Sequence, residues 1–183
     1  MLLKILSENL GNRKFESKHE MCYNKCVKNK EEQFGGAIMA FNINFRRLQS
    51  NATQPSHGSQ WAAGYDLYSC GSYIIEPHTT LKIGTGIAME IPEGYFGAIF
   101  ARSGLATKQG LRPANCVGVV DADYRGEIIV ALHNDTDFAQ EVSEGERIAQ
   151  IVIMPYLAVE FTEVEALSGT NRGEGGFGST GTH

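Results

Sequence analysis

An aspartate at the end of an apolar strand, followed by a turn and a returning strand, is the arrangement most able to do chemistry in this sequence. The stretch is Asn115-Cys-Val-Gly-Val-Val-Asp-Ala-Asp-Tyr-Arg-Gly-Glu. Apolar residues run into Asp121, and the chain returns as Glu127-Ile-Ile-Val-Ala-Leu, which predicts a β-hairpin with Asp121 and Tyr124 at its mouth. An ionised carboxylate there can orient a water molecule as a general base. A hairpin backbone can offer N–H and C=O groups to a flat base edge, and a tyrosine ring can pack on a sugar. The plainer alternative is a well-made hairpin with a polar tip.

Four further stretches combine glycines with polar groups. Ala62-Ala-Gly-Tyr-Asp-Leu-Tyr places Asp66 in an otherwise apolar strand, where it could also simply end the strand. Ala101-Arg-Ser-Gly-Leu-Ala offers the guanidinium fork of Arg102, the hydroxyl of Ser103 and, at Gly104, a backbone that a phosphate can approach. Gly145-Glu-Arg-Ile-Ala-Gln-Ile puts Gln150 in an apolar strand, where its amide needs partners from the core or from a ligand. The glycine-rich end, Ser168 to His183, carries Arg172, Phe177, Ser179 and Thr180 on a very flexible backbone. Most such tails are merely solvated. A stacking ring beside phosphate donors is more than a solvated tail needs.

The elements that must position these groups read as strands. Phe41, Ile43 and Phe45 alternate with asparagines, and Leu81, Ile83, Thr85, Ile87, Met89 and Ile91 form a longer alternating run. Arg147-Ile-Ala-Gln-Ile-Val-Ile-Met and Ala158-Val-Glu-Phe-Thr-Glu-Val are also expected to be strands. Turn signals separate the segments about every ten residues, the pattern of an all-β barrel or jelly roll. One short helix is expected at Ser103–Lys108, with Ser103 as its cap.

The 183-residue length fits one domain with tails, long enough to need no disulfide or metal staple. Residues 1–38 carry seven basic against five acidic side chains, a local charge of +2 that leaves −7 on the remainder. They read as an extension of open role, without the apolar stretch and cleavage site of a secretory signal, and Met39 could serve as a start. The Cys22-x3-Cys26 pair with His19 makes a poor zinc site, since no second pair is near. The expected organisation is an extension over 1–38, a β domain over 39–167 and a flexible lid over 168–183.

The net charge of −5 argues against nucleic acid or anionic membrane as a partner. No apolar run reaches the roughly 20 residues of a membrane-spanning helix. Four scattered cysteines are a poor disulfide framework and favour free thiols in a reducing cytoplasm.

Taken together and in order, the five stretches resemble the motifs of one family, the homotrimeric dUTP diphosphatases (dUTPases). Ala62–Tyr68 is similar to the first, Arg102-Ser-Gly to the second and Gly118-Val-Val-Asp-Ala-Asp-Tyr-Arg-Gly to the third. Gly145-Glu-Arg-Ile-Ala-Gln resembles the fourth and Arg172-Gly-Glu-Gly-Gly-Phe-Gly-Ser-Thr-Gly the fifth. The resemblance runs from about Phe41 to the C-terminus. It implies a distorted jelly-roll β-barrel, the β-clip fold, with a glycine-rich C-terminal arm. The implied activity is hydrolysis of dUTP to dUMP and diphosphate with Mg²⁺, which keeps uracil out of DNA and supplies dUMP for thymidylate synthesis.

The same resemblance assigns roles. Asp121 holds and activates the attacking water, and Asp66 reaches the metal through water. Arg102, Ser103, Gly104 and Gln150 bind phosphates. Asn115, Val119, Val120 and Ile129 form the uracil pocket, and Tyr124 packs on the deoxyribose, excluding a 2′-hydroxyl. Phe177 stacks over uracil from the arm of a neighbouring subunit, Gly178 belongs to the same substrate-binding stretch, and Arg172, Ser179 and Thr180 hold the γ-phosphate. The site is thus shared between chains of a trimer. Cys116 has no role in this scheme. Two alternatives remain open: a dCTP deaminase of the same fold, which needs a glutamate acting on the cytosine amine, and a regulatory protein that uses the nucleotide as a switch and needs no Asp121.

Overall fold

The computed structural model of the chain describes residues 42–176. The extension over 1–38 and the arm residues Phe177, Gly178, Ser179 and Thr180 lie outside the described residues. Eleven strands and one short helix make up the described part. They are β1 (Asn44–Arg47), β2 (Tyr65–Tyr68), β3 (Tyr73–Ile75), β4 (Thr80–Gly84), β5 (Ile87–Glu90), β6 (Tyr95–Phe100), α1 (Ser103–Lys108), β7 (Leu111–Pro113), β8 (Gly118–Val120), β9 (Ile129–Asn134), β10 (Gln140–Val142) and β11 (Arg147–Pro155). All pairings are antiparallel, in four sheets ordered β2-β11-β6-β8, β4-β9-β7, β1-β5 and β10-β3. The all-β expectation holds, and the helix occupies the expected Ser103–Lys108.

Period-two patterning carries the core. In β9 the residues Val130, Leu132 and Asn134 are buried while Ile129 is exposed. Leu67, Ile75, Ile83, Ile87, Leu111, Ile128, Val142, Ile148 and Ile151 complete one continuous apolar cluster. Burying each such side chain contributes about 1.5–3 kcal/mol before entropy is counted. Asn134 sits fully buried because its amide is satisfied: Nδ2 donates to Ile75 O (2.9 Å) and Phe138 O (2.7 Å), and Oδ1 accepts from Thr136 N–H (2.9 Å). Cys70 is buried too, and desolvation pushes its thiol above the ordinary range. At the far end of the β7–β9 ladder Arg112 grips Asp135 with two bonds of 2.7 and 2.9 Å. That hydrogen bonding holds the Asp135 carboxyl below its usual range.

Four local expectations are corrected. The alternating run from Leu81 to Ile91 is not one strand: it breaks at Thr85-Gly86, where Gly86 has φ +67°, and gives β4 and β5. Ser103 is not the cap of α1. The cap position is Arg102, which makes no side-chain capping bond, and Ser103 is the first helical residue. Residues 158–164 are not a strand; Val159, Phe161 and Val164 are exposed, with no sheet of this chain beside them among the described residues. Finally, β8 and β9 are not the two arms of a laddered hairpin. β8 pairs with β6, whereas β9 pairs with β4 and β7.

Candidate functional site

The splaying of β8 from β9 makes a slot. β8 is the last strand of its sheet. The β7 ladder on β9 ends at Pro113↔Leu132, with Ala114 N–H donating to Ala131 O (2.8 Å), and the Ile129 end of β9 runs on past it. Between them lies a cleft of about 230 Å³ lined by Asn115, Val119, Val120, Asp121, Tyr124 and Ile129, with Ile99, Gly118, Glu127 and Ile128 completing the wall. Six of the residues expected at the base, sugar and attacking water thus converge on one opening. Val119 and Ile129 show 63% and 47% of their surface, an apolar exposure that a flat ring would cover. The turn that closes the slot is tied by Tyr124 N–H to Asp121 O (3.1 Å) and by Tyr124 Oη, which donates to Glu127 O (2.9 Å).

A second group gathers at the other end of the large sheet. Asp66 on β2 is level with Gln150 on β11, which is level with Phe100 on β6. Arg102, two residues beyond, folds back so that Nε donates to Asp66 Oδ1 (2.8 Å), and Arg147 Nη1 approaches Asp66 Oδ2 (3.3 Å). Two guanidiniums around one carboxylate whose side chain is only 14% exposed leave a net positive, orientated cluster. Gln150 Nε2 donates to Ala101 O (2.9 Å) and so holds the residue just before Arg102. An amide nitrogen has two hydrogens, so a phosphate contact remains compatible with this bond. Ser103 and Gly104 are exposed beside the cluster, and a Cβ at Gly104 would meet open space. Arg147 escaped the sequence reading; its only signal was its place three residues before Gln150.

The two groups do not meet within one chain. The register pairs Val120 with Gly97, so Asp121 lies level with Phe96, six residues back along the strand from Arg102. At about 3.3 Å per residue that is on the order of 20 Å. Arg172 joins neither group, its Nε donating to Gly175 O of its own turn (2.7 Å).

No cluster of three or more His, Cys, Asp or Glu side chains that could cage a metal occurs among the described residues. Among the described residues Asp66 is the carboxylate paired with Arg102 and Arg147, and both its oxygens carry guanidinium bonds. A carboxylate has about four lone-pair sites, so contact through water remains open. The donor set therefore fits a Mg²⁺ that keeps its waters and rides on substrate phosphates, and does not fit a protein-only cage.

The dUTPase family profile matches residues 50–181. The chain belongs to the dUTPase family. It is 48% identical over 139 residues to the deoxyuridine 5′-triphosphate nucleotidohydrolase of Nautilia profundicola, covering 76% of this chain and 98% of that one. Identity to the Oryza sativa enzyme of the same name is 45% over 141 residues, covering 76% and 80%. Among solved structures, the Staphylococcus bacteriophage 80alpha dUTPase with dUPNHPP superposes with a TM-score of 0.73 at 32% identity, covering 78% of this chain and all of that one. An aspartate-to-asparagine variant of the phage phi11 dUTPase, described for its coordination of a structural Mg(II) ion, superposes with a TM-score of 0.66 at 27% identity, covering 70% of this chain and 100% of that one. The fold of this dUTPase is therefore the jelly-roll-like β-clip expected from its motifs. No helix among its described residues is long and apolar enough to cross a membrane.

Proposed function

We propose that this dUTPase hydrolyses dUTP to dUMP and diphosphate, with Mg²⁺, in a cytoplasmic homotrimer whose sites are shared between subunits. The observation that carries the reading is the β8–β9 slot: one cleft lined by Asn115, Val119, Val120, Asp121, Tyr124 and Ile129. Its size suits a base and its sugar, not the whole triphosphate. Backbone groups of Val119 and Ile129 pair with uracil in a slot too narrow for a thymine methyl, and Asn115 closes it. The Tyr124 ring packs on the deoxyribose and leaves no room for a 2′-hydroxyl.

Asp121 holds the water that attacks the α-phosphorus. A P–O bond to water forms, the bond to the bridging oxygen of the β-phosphate breaks, and the water proton passes to the Asp121 carboxylate. The phosphates are met by Arg102, Ser103, Gly104 and Gln150, fixed donors of the kind that dominate phosphoryl transfer. Because Asp121 and Arg102 of one chain stand on the order of 20 Å apart, the reading assigns them to one site only when a second copy supplies the other set. Bound Mg²⁺ would withdraw charge from the triphosphate, and Asp66 would hold one of its waters. The arm of a neighbouring subunit then closes, with Phe177 over the base beside Gly178, and Arg172, Ser179 and Thr180 at the γ-phosphate.

A diphosphate-release assay over dUTP, dTTP, dCTP and UTP with Mg²⁺ tests base, sugar and reaction together. Release from dUTP alone is expected. A glutamate does line the slot, as a deaminase would need, but the Glu127 carboxylate is bonded to the Gly86 N–H (2.7 Å). Ammonia from dCTP would establish the deaminase instead, and intact dUTP would end the reading.

A further inference from the structure

Glu127 stands out on the wall of a slot that otherwise suits a weakly polar base and its sugar. It lines the slot half-buried, where a carboxylate needs a hydrogen-bond partner. Its Oε1 accepts the Gly86 N–H at 2.7 Å, a charge-assisted bond about twice as strong as a neutral one. The β4–β5 corner is shaped to receive it. A Cβ at Gly84 would lie 2.5 Å from Glu127 Oε1, so only glycine leaves the carboxylate its place. Gly86 has φ +67°, and a Cβ there would fall 2.7 Å from Ala52 Cβ and 2.8 Å from Cys70 Sγ. Thr85, buried between them, gives Ile128 O both its hydroxyl (2.7 Å) and its N–H (3.3 Å), while Ile128 N–H donates to Ile87 O (2.8 Å). The corner therefore holds residues 127 and 128 together, one by a side chain and one by its backbone.

The other end of this chain of bonds is Tyr124. Its hydroxyl donates to Glu127 O (2.9 Å), so the pose of its ring follows the position of the Glu127 backbone. Tyr124 is otherwise 45% exposed on the slot. Steric exclusion of an added hydroxyl is only as strong as the excluding wall is stiff.

We infer that Glu127 is a positioning residue for sugar selection, stiffening the Tyr124 wall through the Gly84-Thr85-Gly86 corner. The inference rests on the proposed dUTP hydrolysis and adds to it the device that discriminates deoxyribose from ribose. The test compares kcat/KM for dUTP and UTP in the full-length protein. Glu127→Ala should raise the UTP/dUTP ratio about tenfold, a factor of the size one such bond can control. kcat on dUTP should change less than the ratio does. Glu127→Gln keeps an oxygen acceptor for the Gly86 N–H and should restore most of the selectivity.

Gly84→Ala displaces the carboxylate without deleting it, so it should shift the ratio in the same direction. Added to Glu127→Ala it should change nothing further, because the space it fills is then empty. An unchanged ratio in Glu127→Ala and Gly84→Ala, both folded by thermal melting, would overturn the inference while leaving dUTP hydrolysis intact. If Glu127→Ala does not fold, Gly84→Ala alone decides. A wild-type protein that leaves dUTP intact would instead refute the parent reading, and this inference with it.

Discussion

The slot between β8 and β9 and the arginine cluster on β2 and β11 are built by opposite means. The slot is a gap in hydrogen bonding: two strands that follow one another in sequence enter different sheets and leave their facing edges apart. Its walls are apolar side chains and peptide groups. The cluster is a knot of charge, with one part-buried carboxylate orientating Arg102 and Arg147. The first suits recognition of a flat, weakly polar ring, the second the neutralisation of a polyanion. The slot runs along the β8 side of β6 and the cluster lies across β11 and β2, with Asp121 level with Phe96 and Arg102 beyond Phe100, so the proposed reaction draws these two groups from different copies of the chain.

The largest effect is expected at Asp121. Asp121→Asn should lower turnover of dUTP by about 10²–10⁴, the span a positioned general base supplies. Nucleotide should still bind, measured by calorimetry with a non-hydrolysable analogue. Substantial turnover in that variant would mean that the slot recognises the base without housing the chemistry.

Truncation after Leu167 should leave a folded trimer by light scattering with turnover reduced by roughly 10², the scale of lost closure and alignment. Undiminished turnover would show that the slot and the cluster suffice without the arm.

A mixing experiment probes the separation directly. Asp121→Asn and Arg102→Ala are each expected to be nearly inactive. Unfolded and refolded together in equal amounts, they should regain about a quarter of wild-type activity if each site takes its aspartate and its arginine from different copies. No recovery, in mixed trimers verified by mass, would place both groups of a site on one chain.

The smallest effect concerns neither region and serves as a control. Arg112 holds the Asp135 carboxyl below its usual range, chiefly through their hydrogen bonds. A carboxylate depressed on folding adds stability above its unfolded value near 4, and that stability is lost as the pH falls through its lower folded value. The melting temperature of the wild-type protein should therefore fall more than that of Arg112→Ala between pH 5 and pH 2. Diphosphate release at neutral pH should be unaffected. A matching loss of activity would couple this pair to the site.

Some of this protein was legible residue by residue. The returning segment after Glu127 was readable as a strand, and Ser103–Lys108 stood out as a short helix. Asp121 and Tyr124 were readable because a polar pair after an apolar strand marks a turn mouth. Other features depended on which strand pairs with which. The Leu81–Ile91 run looked continuous because Thr85 keeps the alternation, yet the left-handed Gly86 turns the chain. Residues 158–164 had a strand pattern and pair with no strand among the described residues, since pattern fixes the face of a strand and not its neighbour.

What the sequence by itself determined is therefore the class of the fold and the chemical inventory: apolar residues at period two, turns at glycines, and a set of groups apt for base, sugar and phosphate. Only the tertiary structure decided that β8 and β9 part company, that Asp66 binds Arg102 and Arg147, and that Glu127 bonds the corner at Gly86. The physical reason is that side-chain type and periodicity act locally along the chain. Register and ion pairing depend on groups tens of residues apart, whose meeting is fixed by the packing of the whole core.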